Sequence, residues 1–419
     1  MFRYLNNNFY DLHTDDDVSN ITWNAKNGLT FSQMKNKDFD DPSWDLLLDQ
    51  LDLQEACNFI TYGNRNYHSM ESIGFAGAKL TENGPVGYAG SLYGTMSNSQ
   101  NPYCVGEDDK NASYKTNTLA SPTTMAATWN KELLHEVGVL WGNDSLVANL
   151  PVLWAPSINL HRTPYNGRSG EYFSEDPVLT GTLALEETVG AKSKGLIVTV
   201  KHFAFNDQES NRDDVSPYMT EQKARENELR GFQITFEGDK RGKALAVMTG
   251  FNRVGPVYDG AHTGLMQNIL RQEFGFKGYA VSDYLAAEMT FKEAVLAGTT
   301  NFDGMGYTNR FAGGAYYWTV KDENGNQVPY VTDDSNMFAK DANMQKAIRQ
   351  AMHYSLYTLS QSNMMNGYNA TTHTEERMTW WRATAIGLIA GTATGLGVSV
   401  IFYAVTQLKP VLAKKKEDK

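Results

Sequence analysis

Two short, β-branched apolar runs, Gly195-Leu196-Ile197-Val198-Thr199-Val200 and Gly278-Tyr279-Ala280-Val281-Ser282, carry their polar residues only after the last apolar position. A strand with one wet face alternates polar and apolar residues, so unbroken runs of this length predict strands buried on both faces. Three further runs end at Ser157-Ile158-Asn159, at Met248-Thr249-Gly250 and, less regularly, at Phe302-Asp303. Between them, apolar residues recur at helical spacing over about 177–193, 219–237 and 262–273, the first opened by Ser174-Glu175-Asp176-Pro177. Strand and helix in alternation predict an α/β fold with a parallel sheet and covering helices. Polar residues gather at the strand C-termini, the rim on which a (β/α)8 TIM-type barrel, regular or irregular, holds its active site. An open doubly wound sheet is the alternative arrangement of the same pattern.

The flanks have their own patterns. Asp41-Pro42 opens a helix that is expected to run through Leu46, Leu47, Leu48, Leu51 and Ala56. Met344, Ile348, Met352, Leu356 and Leu359 mark another amphipathic helix, and Glu323-Asn324-Gly325-Asn326 within Tyr316 to Val331 signals a hairpin. Residues 1–40 are polar, with Asp15-Asp16-Asp17, and read as a linker or a severed domain edge. The barrel domain is expected over 41–362, a stalk over 363–382, a spanning helix over 383–405 and a basic tail over 406–419.

The span is argued from length. Ala383 to Val405 carry no charge, and at about 1.5 Å per residue they suffice for a hydrocarbon core of about 30 Å. Trp380, Trp381 and Arg382 stand at one end, Tyr403, Lys409 and Lys414-Lys415-Lys416 at the other. Aromatic flanks and a Lys-rich tail predict a single-pass cell-membrane protein, barrel outside and tail cytoplasmic. Gly387, Gly391 and Gly395 share one helix face, which permits close approach of a second span, although glycine is common in membrane helices generally. Export needs a signal, and Met1 to His13 contains no apolar core of one, so that information is expected elsewhere or upstream of Met1.

Composition narrows the classes. A chain of 419 residues holds one barrel plus appendages, and a net charge of −11 argues against nucleic acid as a partner. Cys57 and Cys104 are too few for a disulfide framework or a zinc site; buried thiols are expected, with a single disulfide as the alternative. Gly395-Leu396-Gly397 mimics part of a dinucleotide loop but lies inside the apolar span with no strand before it, so neither cofactor nor metal is expected. No glycine-rich phosphate loop follows the late strands, which disfavours a barrel enzyme acting on phosphorylated substrates.

The rim residues form ordered blocks: Ala155-Pro156-Ser157-Ile158-Asn159-Leu160-His161-Arg162-Thr163-Pro164, Gly167-Arg168, and Glu171-Tyr172-Phe173-Ser174-Glu175-Asp176-Pro177. Lys201-His202-Phe203 follows with Asn206, Gln208-Glu209 and Asn211-Arg212, then Met248 with Phe251-Asn252-Arg253, then Val281-Ser282-Asp283. In this order the chain, over roughly 43 to 306, resembles the family 3 glycoside hydrolases. The resemblance implies retaining hydrolysis of β-linked glycosides of the β-glucosidase and β-xylosidase kind, with Asp283 as nucleophile. It implies that Arg168, Lys201, His202 and Arg212 bind sugar hydroxyls, that Met248 and Phe251 line the pocket, and that Asn83 and Tyr284 occupy two further binding positions.

Nearby cations are expected to lower the pKa of Asp283 and keep it ionised, ready to attack the anomeric carbon. Structural uses compete: Asp283 capping a helix at Leu285-Ala286-Ala287, Arg168 pairing with Glu171 or Asp176, and Glu209 serving as a partner of the cations rather than as an acid. The chain departs from the family at three points. Asn83 stands where an aspartate is usual before Gly84-Pro85, Tyr284 where tryptophan is frequent, and Ser169-Gly170 after the arginine. In most of the family the proton donor comes from a separate α/β sandwich domain; after residue 310 only hairpin, helix, stalk and span are expected here. Ala204-Phe205-Asn206-Asp207 also lacks the Pro-Gly-His loop that a minority branch uses. The acid/base is therefore expected from a domain or chain outside this sequence. The alternative is a catalytically impaired, membrane-anchored glycan-binding protein.

Overall fold

The computed structural model describes residues 17–61, 66–67, 69–81, 119–148, 150–213, 215–284, 290–303, 318–321, 327–330, 341–367 and 380–417. They divide between two units, Met1–His373 and Thr374–Lys419.

The first unit is built on a seven-stranded sheet. Its strands are β1 (Asn66–Tyr67), β2 (Ala78–Thr81), β3 (Val152–Leu153), β4 (Ile197–Phe203), β5 (Ala246–Thr249), β8 (Tyr279–Tyr284) and β9 (Asn301–Asp303), paired in that order. β6 (Arg253–Val254) and β7 (Val257–Tyr258) form a small antiparallel ribbon after β5. Only the β1–β2 pairing in the large sheet is antiparallel. The parallel α/β sheet agrees with the sequence pattern. The described ladders make one side of a barrel; an eighth strand and ring closure are not among the described residues.

Alternation along the strands explains the unbroken apolar runs. Val152, Ile197, Ala246, Met248, Tyr279 and Val281 belong to one buried cluster, with residues of the helices Ser43–Gln50, Leu53–Thr61 and Ala342–Ser360. Leu153, Val198, Val200, Val247 and Ala280 belong to a second cluster, with residues of Lys131–Ala148, Pro177–Lys192 and Arg230–Glu237. Neighbouring residues point to opposite faces of a strand, and here both faces are covered, so polar residues enter only where the strands end.

Local signals account for the helix boundaries. Asp176 Oδ1 accepts from the backbone N–H of Val178 and Leu179 at 2.7 and 2.8 Å, with Pro177 in the first turn. The single helix expected from Asp41 to Ala56 is two: the chain extends at Leu51, and Asp52 Oδ1 then accepts from Gln54 and Glu55 N–H to start Leu53–Thr61. A short carboxylate competes with the helix ladder for backbone donors, and the apolar spacing that runs through it conceals the break. The helix expected over 219–237 is also interrupted, as Glu221–Lys223, a π turn at Ala224–Glu228, and Arg230–Glu237; Gly264–Glu273 is π-helical throughout. Phe31 and Met34, in the polar N-terminal segment, are buried in the first cluster. Cys57 is buried; Cys104 lies outside the described residues.

Lys131–Ala148 and Pro177–Lys192 touch backbone to backbone. A Cβ on Gly190 would lie 2.1 Å from the His135 carbonyl oxygen, and one on Gly138 would lie 2.1 Å from that of Glu187. Glycine is what allows the approach. The expected hairpin forms from β10 (Trp318–Lys321) and β11 (Gln327–Tyr330), with Trp318 opposite Tyr330; its turn residues lie outside the described set.

The second unit is one helix, Trp380–Glu417. Its stretch Ala383–Thr406 spans 24 residues at mean hydropathy 1.9 with none buried, which meets the length and composition needed to cross a membrane.

Candidate active site

β4 ends in Lys201-His202-Phe203 and β8 in Asp283-Tyr284, with β5 between them in register: Met248 lies opposite Lys201 on one side and Val281 on the other. Parallel pairing in that register therefore brings these three strand ends to one rim. The Lys201–His202 and Phe203–Ala204 peptides are cis.

His202 is the hub of the cluster. Its Nε2 lies 3.3 Å from Asp283 Oδ2 and 3.2 Å from Arg168 Nη2. Asn159 holds its backbone from the loop after β3: His202 N–H donates to Asn159 Oδ1 at 2.8 Å, and Asn159 Nδ2 donates to the His202 carbonyl at 2.9 Å. Arg168 donates through Nε and Nη2 to both oxygens of Glu171, at 3.1 and 2.9 Å, and its Nη1 lies 3.7 Å from Glu209 Oε1. Arg212 donates to Glu209 Oε2 at 2.9 Å, and its guanidinium sits 3.9 Å above the Phe251 ring centroid, within cation–π range. Glu209 thus spans the two arginines.

The candidate residues separate as follows. Asp283, His202, Arg168 and Arg212 converge, with Phe251 beneath Arg212 and Lys201 buried at the end of β4. Met248 is buried in β5, whereas Tyr284 is 39% exposed next to the nucleophile candidate. Asn83 lies outside the described residues, as do Leu285-Ala286-Ala287, whose helix Asp283 was expected to cap in the competing reading. Asn159, Glu171 and Glu209 belong to the site, although Asn159 was not singled out from the sequence. Its signal was present: Asn159 closes the third apolar run just as the histidine and aspartate follow theirs.

Electrostatics correct one expectation. Burial raises the Asp283 carboxyl above its ordinary value; Lys201, the Tyr284 N–H at 2.7 Å, Arg168 and Arg212 pull it down but do not overcome the burial. Burial drives His202 well below the usual imidazole range, and Arg168, Lys201 and Arg212 push the same way. His202 is consequently neutral, and its Nε2 either donates to Asp283 or accepts from Arg168. Opposite Glu171, the balance falls the other way: burial raises its carboxyl, yet the bidentate Arg168 leaves it lowered. The arrangement can offer one partly shielded carboxylate, 16% exposed, to an electrophile, surrounded by donors suited to hydroxyl oxygens.

Residues 106–300 match the model of the glycosyl hydrolase family 3 N-terminal domain. The chain is 39% identical to a β-glucosidase of Ruminococcus albus over 169 residues, 40% of this chain and 18% of that protein. It is 31% identical to a β-glucosidase of Rhizobium radiobacter over 257 residues, 61% of this chain and 29% of that one. Among solved structures, β-glucosidase 3B from Thermotoga neapolitana in complex with glucose aligns with a TM-score of 0.63 at 27% identity, covering 78% of this chain and 43% of that chain. The chain thus spans less than a third of the length of these curated relatives. Residues 106–300, which hold His202, Arg168 and Asp283 on one rim, are thus similar to the glycosyl hydrolase family 3 N-terminal domain.

Proposed function

We propose that this chain carries the nucleophile and sugar pocket of a retaining β-glycosidase acting on β-glucoside-like substrates. The observation that carries the reading is the 3.3 Å contact between Asp283 and a neutral His202, itself 3.2 Å from Arg168. Once ionised, Asp283 attacks the anomeric carbon; the glycosidic C–O bond breaks, the leaving oxygen takes a proton, and water later hydrolyses the glycosyl ester. Arg168, Lys201, His202 and Arg212 bind sugar hydroxyls, with charged donors offsetting the loss of water, and Met248, Phe251 and Tyr284 line the pocket. A carboxyl from a separate α/β sandwich domain or chain supplies the proton. The half of the barrel that is described belongs, in this reading, to a full (β/α)8 ring, and Ala383–Thr406 anchors the domain outside a cell membrane.

An activated 2-fluoro-β-glucoside tests the nucleophile, because a good aryl leaving group needs little proton donation. Mass spectrometry should find a covalent fluoroglucosyl adduct on the peptide bearing Asp283, and none on Asp283→Asn. Absence of an adduct with 2-fluoro glucosides and xylosides alike refutes the hydrolase and leaves a glycan-binding protein.

A further inference from the structure

Arg162 extends from the same loop as Arg168, and its Nη1 meets two carboxylates at once, Asp207 Oδ2 at 3.0 Å and Glu228 Oε1 at 2.8 Å. Lys223 Nζ lies 3.4 Å from the same Glu228 oxygen. The side chains of Asp207 and Glu228 are only 12% and 2% exposed. Three segments are joined here: the loop after β3, the loop after β4, and the π turn Ala224–Glu228, which coincides with the buried Glu228.

The two carboxyl groups thus converge on a single Arg162 nitrogen, while Asp207 Oδ1 is buried with no hydrogen-bond partner. Two ionised carboxylates in this position would repel one another in a poorly solvated site and leave that oxygen unsatisfied. One proton held between them supplies a donor and removes the repulsion. The cluster bears directly on the pocket, because Asp207 precedes Glu209, which spans Arg168 and Arg212, by two residues.

We propose that Asp207 and Glu228, bridged by Arg162, hold one proton between them, and that this shared proton fixes the rim loop 204–213 and with it the Glu209 link to Arg168 and Arg212. Asp207 is then a positioning residue that acts on the sugar pocket through Glu209, and this last step rests on the glycosidase reading.

The charged groups facing the pair agree with this. Burial and the Glu228 carboxylate raise the Asp207 carboxyl to about 7, while Arg162 and Lys223 pull it down. Tyr172 faces it from the segment before the Pro177–Lys192 helix, with its phenol raised by burial and hence neutral; Glu209 lies on the same loop. A carboxyl raised in the folded state stabilises the loop fully below its ordinary value, and that contribution is lost as pH rises through about 7.

The test uses the full chain, Asp207→Asn and Glu228→Gln, each amide retaining a donor without titrating. Hydrogen-exchange protection of 204–213, corrected for intrinsic rates, should fall on the order of tenfold across neutral pH in the unsubstituted chain, fall less in Glu228→Gln, where only burial still raises Asp207, and stay flat in Asp207→Asn. Over the same range, KM for p-nitrophenyl β-D-glucopyranoside should rise in the unsubstituted chain and not in Asp207→Asn. Exchange profiles that coincide in all three proteins overturn the shared proton, and a KM that follows the same profile in both proteins overturns its link to the pocket. Complete absence of hydrolysis would instead count against the glycosidase reading, with exchange still deciding the shared proton.

Discussion

Glu187 offers the sharpest test of the packing argument. It lies in the middle of Pro177–Lys192 with its side chain fully buried, and neither carboxylate oxygen has a hydrogen-bond partner. Burial raises its carboxyl well above the ordinary value, so between the two values it keeps its proton in the fold and loses it in the unfolded chain. The folded state therefore binds one proton more, and stability falls as pH rises from the ordinary carboxylate value toward the raised one, by up to about 1.4 kcal/mol per pH unit. Glu187→Gln keeps the shape and removes the titration. Urea unfolding should give similar stabilities at about pH 5, with the variant ahead by up to about 2 to 3 kcal/mol at about pH 7. Glu187→Leu, which removes both unpartnered oxygens, should gain about 1–3 kcal/mol even where the carboxyl is neutral. A difference between Glu187→Gln and the unsubstituted chain that is constant with pH would refute the reasoning, because it would mean that the carboxyl finds a partner or water.

Two further outcomes follow from the site and the sheet. Lys201 is the strongest of the groups that lower the Asp283 carboxyl, so Lys201→Met should move the acid limb of kcat/KM for an activated aryl β-glucoside to higher pH; a limb that stays in place contradicts that coupling. Gly278→Ala would put a Cβ 1.9 Å from the Leu245 carbonyl oxygen, where backbone cannot yield, and should cost about 1–3 kcal/mol or more; an unchanged urea midpoint would show that the approach to Leu245 is looser than described.

Much of the scaffold can be read along the chain because its signals are local. The runs before Lys201 and Asp283 announce doubly buried strands, Asp176-Pro177 announces a helix start, and Ala383 to Val405 announces a long apolar helix, each within a window of a few turns. Even there, Asp52 divides a helix that apolar spacing alone presents as continuous. The rim chemistry was legible as residue types at strand ends. Its partners were not: Asn159 clasps His202 across 43 residues of sequence, and Arg162 reaches Glu228 across 66. Such pairings depend on parallel register and loop path, which no periodicity encodes. The direction of the Asp283 shift was lost for the same reason. Counting cations near it in sequence suggests a lowered carboxyl, yet burial outweighs them, and burial is a property of the whole packed molecule: it depends on how much water the surrounding segments exclude.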